Sequence, residues 1–342
     1  MQVGLGSITC QQAPGDLRSD VERYRDAVAL AVEAERLGFD SVWLSEHHFL
    51  DDGYLPSLLP FAAAIAARTE RIAIGTDVLL APLHEPIRLA EDAAVVDLLS
   101  NGRLVLGLAQ GWRRFEFEGL NVPFRGRHVR FEETIEVLRQ AWGPGLVTGG
   151  ETLRYPEVSV TPKPARAGGP PLWIGAMLEP AVRRAARIGD GFVANWCRPA
   201  ELARWSGWIR DEALAAGRDL SGFVFAPVIP FWVNDRDDEW PLIRDAVWQY
   251  VWKYDDMARM RGRTGPPPAP PPLTPEREEE LRAMVIMGPA DELVTRLRDY
   301  EAACGGELHV IADLLLPSLD PGLLRDQLAR VSETLLPQLR AG

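Results

Sequence analysis

Short apolar runs that resemble β-strands alternate along the chain with longer runs whose apolar residues recur at helical spacing. The strand-like runs are residues 3–10, 40–45, 71–80, 103–110, 170–176, 190–196, 222–233 and 307–316. The helical runs are residues 21–38, 58–69, 87–100, 129–142, 180–189, 199–217, 290–304 and 322–339. Strands that are apolar along their whole length suit a parallel sheet covered by helices. Eight such units predict an α/β fold, a closed (β/α)8 TIM barrel.

Two segments interrupt this alternation. Residues 147–164 alternate polar and apolar side chains around a Gly-Gly pair, which predicts a β-hairpin. A longer insertion, residues 237–287, follows the seventh strand, and its stretch 264–272, "TGPPPAPPP", favours polyproline II. Its aromatic residues are consistent with a helix packed on the barrel beside a stiff spacer, or with an apolar lid over the barrel mouth. We expect one domain over residues 1–342 with this inserted segment.

The charge and the cysteines limit the function classes. The formal net charge of −12 repels phosphate backbones and anionic membrane surfaces, so we expect neither nucleic acid nor a membrane as a partner. The three cysteines are far apart and form neither a disulfide framework nor a CxxC metal motif. The first ten residues read as a strand and not as a signal peptide, so we expect a cytoplasmic protein.

Polar residues stand where the predicted barrel strands end, which is where barrel enzymes carry their chemistry. Glu46, His47 and His48 follow the second strand. Adjacent histidines on an extended segment face opposite ways, so they cannot easily share one metal ion. His84, His128 and His309 show no ligand spacing, and we therefore expect no metal site. The same residues could equally have only a surface or packing role.

A second set of strand-end residues suits a phosphate group. Gly175, Ala176, Met177 and Leu178 form a short loop before Pro180, which opens a helix, and free backbone N–H groups at such a position attract phosphate. Similar loops occur in every α/β barrel, so this signal alone is weak. Gln110 ends the fourth strand between glycines, and a simple loop hydrogen bond would also explain it.

Several segments, taken together and in this order, resemble the bacterial-luciferase-like family of flavin monooxygenases. They are "GFDSVWLSEHHF" (38–49), "IGTDVLLAPLHEPIRLAEDAAVVDLLSNGRLVLGLAQGW" (74–112), "FEFEGLNVPF" (115–124), "TPKP" (161–164) and "AARIGDGF" (185–192). The resemblance covers roughly residues 1–235 and resumes weakly at 285–314. It implies a barrel that holds a flavin, or the deazaflavin F420, at the C-terminal mouth.

The resemblance also implies roles for individual residues. His47 resembles the family's active-site histidine, which would donate or accept a proton near the reactive edge of the ring. Glu46 and His48 would orient His47 or shape the pocket. The peptide between Asp77 and Val78 should be cis and should support one face of the ring.

This sequence departs from the family's usual phosphate site. Gln110 stands where the luciferase branch has an arginine, and Ala176, Met177 and Leu178 replace a serine-rich loop. Arg113 or Arg114 could compensate. Trp112 would contribute to the cofactor site and, with Trp43, Trp196 and the aromatic insertion, to an apolar wall.

The resemblance therefore leads to one main hypothesis and three alternatives. The main one is a monooxygenase that receives reduced FMN from a separate reductase and uses O2 on a small hydrophobic organic substrate. The first alternative is an F420-dependent dehydrogenase or reductase, whose longer anionic cofactor would suit the arginines of residues 113–130. A metal-dependent hydrolase and a non-catalytic flavin-binding relative are the other two. The resemblance also implies a homodimer packed through helices two and three.

Overall fold

A closed barrel of eight parallel strands forms the centre of the molecule, which confirms the predicted fold class. The computed structural model describes residues 1–235, 238–259 and 269–341. The barrel strands are β1 (Gln2–Ile8), β2 (Ser41–Leu44), β3 (Ala73–Thr76), β4 (Leu104–Ala109), β5 (Leu172–Gly175), β6 (Gly191–Asn195), β7 (Val224–Ile229) and β8 (Glu307–Asp313). The barrel closes between β1 and β8, where Gly6 lies opposite Asp313.

Helices follow the strands and cover the barrel from outside. They are α1 (Asp20–Leu37), α2 (Leu58–Ala66), α3 (Pro86–Leu99), α4 (Arg127–Trp142), α5 (Glu179–Ile188), α6 (Pro199–Ala215), α7 (Ala290–Cys304) and α8 (Pro321–Arg330). The chain continues from α8 through a π-helical turn, Val331–Leu335, into Leu336–Ala341. A capping box of Ser19 and Glu22 begins α1.

Two predicted strands are each divided in the structure. The third is interrupted by a cis peptide between Asp77 and Val78, and Leu79–Leu80 then resumes pairing with β4. The cis bond implied by the resemblance is thus present. The seventh divides at Pro230, whose missing N–H cannot continue a ladder, and Phe231–Val233 pairs with Ile286–Gly288 outside the barrel. The predicted hairpin is present as Val147–Gly149 and Arg154–Val158.

The insertion contains two helices, Trp240–Arg259 and Pro275–Met284. We call Trp240–Arg259 the insertion helix. Part of the predicted polyproline stretch, residues 264–268, lies outside the described residues. Pro271, which is described, accepts a hydrogen bond of 2.8 Å from Trp248 Nε1.

Below the mouth, the barrel is filled by a closely packed aromatic cluster. Trp43 and Trp173 stack with 5.1 Å between ring centroids, and His309 contacts both rings at their edges. Burial lowers the pKa of His309 to about 4, so it packs here as a neutral ring. Trp43 is fully buried and belongs to this inner layer, so it does not form the expected wall at the mouth.

Candidate active site at the barrel mouth

His47 lies on the loop after β2 and is held by a carboxyl group from another loop. Its Nδ1 is 2.8 Å from Oε1 of Glu116. The same oxygen accepts the backbone N–H of His48 at 3.0 Å, so it acts as an acceptor and the proton of the pair belongs on Nδ1. Among the described residues, Nε2 of His47 has no hydrogen-bond partner. This leaves Nε2 as the nitrogen that can exchange a proton with a bound molecule.

Glu116 is fully buried on a short helix, Arg114–Gly119, that follows β4. Its second oxygen, Oε2, has no partner in the described part of the chain. Nη1 of Arg113 lies 3.7 Å from Oε1, which gives the carboxyl a nearby positive charge. The family resemblance predicts that Glu46 or His48 orients His47, but in the structure Glu116 makes that contact.

Glu46, on the same loop after β2, is buried, and both of its carboxylate oxygens accept hydrogen bonds. Oε1 lies 2.8 Å from His48 Nε2 and 3.0 Å from His84 Nε2, and Oε2 accepts the N–H of Leu80 at 2.6 Å. Burial alone would raise the pKa of Glu46, but the hydrogen bonds from the two histidines outweigh it and hold the pKa at about 2. Glu46 therefore ties the loop after β2 to the segment after β3, and its oxygens are not free for a cofactor.

Aromatic rings surround His47. The ring centroids of Tyr54, Tyr254 and Trp112 lie 5.0, 6.0 and 6.1 Å away, each edge-on to the imidazole. Tyr254 comes from the insertion helix, and its hydroxyl is 3.2 Å from that of Tyr54. His47 itself is only 5% exposed. The insertion helix therefore lies over this side of the mouth and separates His47 from bulk water.

Two further carboxyl groups, those of Asp77 and Asp313, are buried at the ends of β3 and β8. Asp77, after β3, accepts a 2.7 Å hydrogen bond from Ser7 Oγ, and Asp313, at the end of β8, lies opposite Gly6 of β1. Trp196 Nε1 donates to Asp313 at 2.6 Å. Burial raises the pKa of Asp77 to about 6 and that of Asp313 to about 7, and for Asp313 the charge of Asp77 adds to the rise.

Val78, directly after β3, packs against Gly107 of β4 and Gly175 of β5, and we call this surface the shelf. The Val78 side chain packs so closely on Gly175 that an added Cβ there would meet it at 2.9 Å. Trp112, Met177 and Leu178 stay exposed, Leu178 by 73%.

The expected phosphate loop lies beside this shelf. Leu178 is the N-cap of α5 and makes no side-chain hydrogen bond there, so backbone N–H groups at this helix start remain available. Arg184, a buried residue of α5, reaches Gln110 Oε1 at 3.4 Å. Arg184 thus links α5 to Gln110, while its Nε pairs with Glu132 at 2.5 Å, and the sequence patterns had not indicated this residue.

Neither arginine proposed as a substitute phosphate ligand faces this loop. Arg113 is buried, and it donates to the carbonyls of His48 at 2.6 Å and Met257 at 3.3 Å. Arg114 is exposed and pairs with Glu118 at 2.7 Å. Arg113 instead joins the loop after β2 to the insertion helix.

The sequence patterns missed several residues of the mouth: Ser7, Tyr54, Glu116 and Asp313. Asp313 lies near the end of the predicted strand 307–316, and that position was a usable signal. Glu116 and Tyr54 carry no spacing signal, because they approach His47 from separate parts of the chain. Over the described ranges, no group of three or more His, Cys, Asp or Glu side chains is arranged to hold a metal ion.

Comparison with known proteins identifies the family. Residues 1–306 match the luciferase-like monooxygenases. The chain belongs to this family. It is 31% identical over 310 residues to the oxygenase component of a flavin-dependent trigonelline monooxygenase from Acinetobacter baylyi, covering 84% of this chain and 82% of that protein. It is 35% identical over 339 residues to an F420-dependent glucose-6-phosphate dehydrogenase from Amycolatopsis mediterranei, covering 93% and 95%.

Solved structures agree on the fold. The monooxygenase RslO1 from Streptomyces bottropensis superposes with a TM-score of 0.81 at 22% identity, covering 99% of each chain. Family membership makes this protein an oxidoreductase of the flavin- or F420-dependent kind. In the described ranges, no helix has the length and apolar character needed to cross a bilayer.

Proposed function

We propose that this luciferase-like protein is a monooxygenase that takes reduced FMN from a separate reductase and uses O2 on a small hydrophobic organic substrate. One observation carries the proposal: His47 presents an unpartnered Nε2 to an aromatic mouth that the insertion helix covers. Oxygen chemistry of this kind needs a proton-transferring group in a place from which water is excluded.

The residues present fit a flavin. The ring would lie on the shelf formed by Val78 and Gly175, and the backbone N–H groups of Met177 and Leu178, together with Arg184, would hold its phosphate. The carboxyl of Asp77 is held by a hydrogen bond from Ser7 Oγ. Trp112, Met177 and Leu178 are the apolar side chains that a bound ring would cover.

Within that arrangement the chain's own groups have separate tasks. The cofactor, when bound, supplies the electrons and the carbon at which O2 is activated. His47 exchanges a proton at Nε2. Glu116 holds the other imidazole nitrogen, Nδ1, and so fixes the orientation of the imidazole ring. Tyr54, Tyr254 and Trp112 exclude water from that nitrogen. The insertion helix serves as the lid that completes this wall.

Similarity to an enzyme named as an oxygenase component supports the need for a partner reductase. The second candidate is an F420-dependent dehydrogenase, and the 35% identity over 93% of the chain supports it. A groove of about 620 Å³ beside the mouth, lined by Arg114 and Arg125 among others, also favours it, because it would suit a longer anionic tail.

The deciding experiment adds reduced FMN, oxidised FMN or F420 to the purified protein without oxygen and then admits air. We expect tight binding of reduced FMN and a long-lived flavin absorbance change after air. Tight binding of F420 alone, with no oxygen reaction, would establish the second candidate instead.

The variant His47→Ala tests the assigned proton-transfer residue. We expect turnover to fall by about 10²–10⁴-fold, the usual contribution of one general acid or base. His128→Ala, an exposed histidine on α4, is the matched control and should keep full turnover. Full turnover in His47→Ala would remove the assignment.

A further inference from the structure

Arg113 lies between the insertion helix and the contact of His47 with Glu116. It immediately precedes the short helix that carries Glu116, and only 3% of its surface is exposed. Its Nη1 donates to the backbone carbonyl of His48 at 2.6 Å, and its Nε donates to that of Met257 at 3.3 Å. Since Met257 belongs to the insertion helix, one buried side chain contacts both that helix and the loop that carries His47.

The guanidinium of Arg113 stops just short of a direct contact with the carboxylate of Glu116. The distance from Nη1 to Oε1 is 3.7 Å, which is longer than a hydrogen bond. Among the described residues, Nη2 of Arg113 and Oε2 of Glu116 are both buried and have no hydrogen-bond partner. A guanidinium and a carboxylate usually join through two parallel N–H···O bonds, which would satisfy both of these atoms. The two groups are therefore kept from the arrangement that their charges favour.

Two backbone carbonyls account for this separation. Those of His48 and Met257 accept hydrogen bonds from two of the three guanidinium nitrogens of Arg113. Oε1 of Glu116 accepts instead from Nδ1 of His47 at 2.8 Å and from the backbone N–H of His48 at 3.0 Å. One of the two carbonyls that hold Arg113 is supplied by the insertion helix, so this division of partners depends on the position of that helix.

Displacement of the insertion helix would remove the acceptor of Arg113 Nε. The guanidinium and the carboxylate of Glu116 would then favour a direct pair, because a buried charged group that lacks a hydrogen bond is destabilising. Burial lowers the pKa of Arg113 because its charge is desolvated, and a carboxylate in contact would offset that effect. Such a contact also neutralises the carboxylate and takes the oxygen that now holds His47.

We propose that Arg113 is a positioning residue through which the seated insertion helix controls the contact between His47 and Glu116. While the helix covers the mouth, Arg113 holds the carbonyl of Met257, and Glu116 keeps a proton on Nδ1 of His47. When the helix is displaced, Arg113 pairs with Glu116, and His47 loses the partner that fixes its tautomer. The imidazole is thus oriented for proton exchange at Nε2 only under the seated helix.

This control links the chemistry of the mouth to its closure. A proton-transferring group that is ready before closure exchanges its proton with bulk water, whereas one that becomes ready on closure exchanges it with the enclosed molecule. The consequence for turnover rests on the proposed function, because it needs a reaction at Nε2 of His47. The coupling between Arg113 and the tautomer of His47 does not need that reaction.

The tautomer of His47 is measured in the protein without cofactor or substrate. Long-range proton–nitrogen correlation spectra of histidine-labelled protein report which ring nitrogen carries the proton, and the chain has only five histidines to resolve. His47→Gln identifies the signals of His47 by their loss. At alkaline pH, where an imidazole is neutral, the wild-type protein should contain the form protonated on Nδ1.

Lys253→Met loosens the seat of the insertion helix, because Lys253 donates to Asp52 on the loop after β2. We expect the fraction of His47 protonated on Nδ1 to fall by about half or more, since Arg113 then takes Glu116. Arg113→Leu alone should keep the wild-type tautomer. The double variant Arg113→Leu/Lys253→Met should regain it, because no guanidinium remains to compete with His47.

Arg114→Leu is the matched control, because Arg114 is the exposed neighbour of Arg113 and pairs with Glu118 at 2.7 Å. Combined with Lys253→Met, it should leave the fraction protonated on Nδ1 as low as in Lys253→Met alone. An unchanged tautomer in Lys253→Met, or an equal fall with and without Arg113, would overturn the coupling and leave Arg113 with a structural role only. If the wild-type protein does not use FMN while the tautomer follows this scheme, only the proposed function fails.

Discussion

Single carboxyl groups decide how the two adjacent histidines are used. His47 reaches Glu116 and keeps Nε2 free, whereas His48 reaches Glu46 and shares it with His84. The opposite orientations expected of neighbours on an extended segment are thus matched by separate acidic partners. His47 thus keeps one nitrogen free for the proton exchange that we propose, and His48 fastens a loop.

Glu116→Gln tests whether the carboxyl of Glu116 orients His47. The amide fills the same space but removes the negative charge and can present an N–H to Nδ1, which disturbs the tautomer. We expect kcat to fall by about 10–100-fold with little change in KM, because binding does not depend on this contact. Glu118→Gln, an exposed neighbour, is the control. A change in KM alone would assign Glu116 to substrate binding.

Asp313 also makes a stability prediction with a definite sign. Its pKa rises from 3.8 to about 7 on folding, so the folded state holds the proton more tightly. Its contribution to stability is therefore lost as the pH rises from about 4 through about 7. Asp313→Asn has no such loss, so its unfolding free energy relative to wild type should increase between pH 5 and pH 8 by about 3 kcal/mol. Denaturant unfolding at both values measures this, and an unchanged difference would contradict it.

At the scale of elements, the insertion helix is the piece that completes the site. Lys253, largely buried on it, donates to both Asp52 and Gln11, and its ammonium lies 4.8 Å from the ring of Tyr54. Arg113 donates to the carbonyl of Met257 in the helix's last turn. The helix is therefore fastened to the loops after β1, β2 and β4 by polar contacts in addition to its aromatic face.

Lys253→Met should loosen this helix without unfolding the barrel. The change leaves a buried carboxylate at Asp52 without its cation, a situation that costs about 3–5 kcal/mol in proteins. We expect faster tryptic cleavage within the insertion, higher exposure of Trp196 by fluorescence quenching, and an almost unchanged melting temperature of the barrel. Lys163→Met is the control, because it removes a lysine whose ammonium donates to the carbonyl of Ala141 and not to the insertion. Equal cleavage in both variants would show that Lys253 does not fasten the helix.

At the scale of the whole molecule, the closed barrel brings distant chain segments to one opening. Ser7, Asp77 and Asp313 come from strands β1, β3 and β8, and they meet because β1 closes the barrel against β8. A second surface is apparent on α3, where Val95, Leu98 and Leu99 are exposed. This face supports the homodimer that the family resemblance implies, which we propose to form through α2 and α3.

Leu98→Glu tests that assembly. A charge in an apolar dimer interface opposes association, so we expect the variant to elute as a monomer in size-exclusion chromatography with light scattering, while its melting temperature is retained. Leu214→Glu places the same charge on an exposed leucine of α6 and should leave the mass unchanged. A wild-type protein that is itself monomeric, or a dimeric Leu98→Glu, would contradict the proposed interface.

The amino-acid sequence alone determined the eight β/α units, the insertion after the seventh strand and the position of His47 at a strand end, because periodicity and strand ends are local properties. The cis peptide followed from family resemblance. The tertiary structure decided that Glu116, not Glu46, holds His47, that Arg113 faces the insertion helix, and that Trp43 lies below the mouth. It also brought Tyr254 of the insertion helix against Tyr54. These two residues are 200 positions apart in the chain, and no local pattern records their contact, because only seating of the insertion helix on the barrel brings them together.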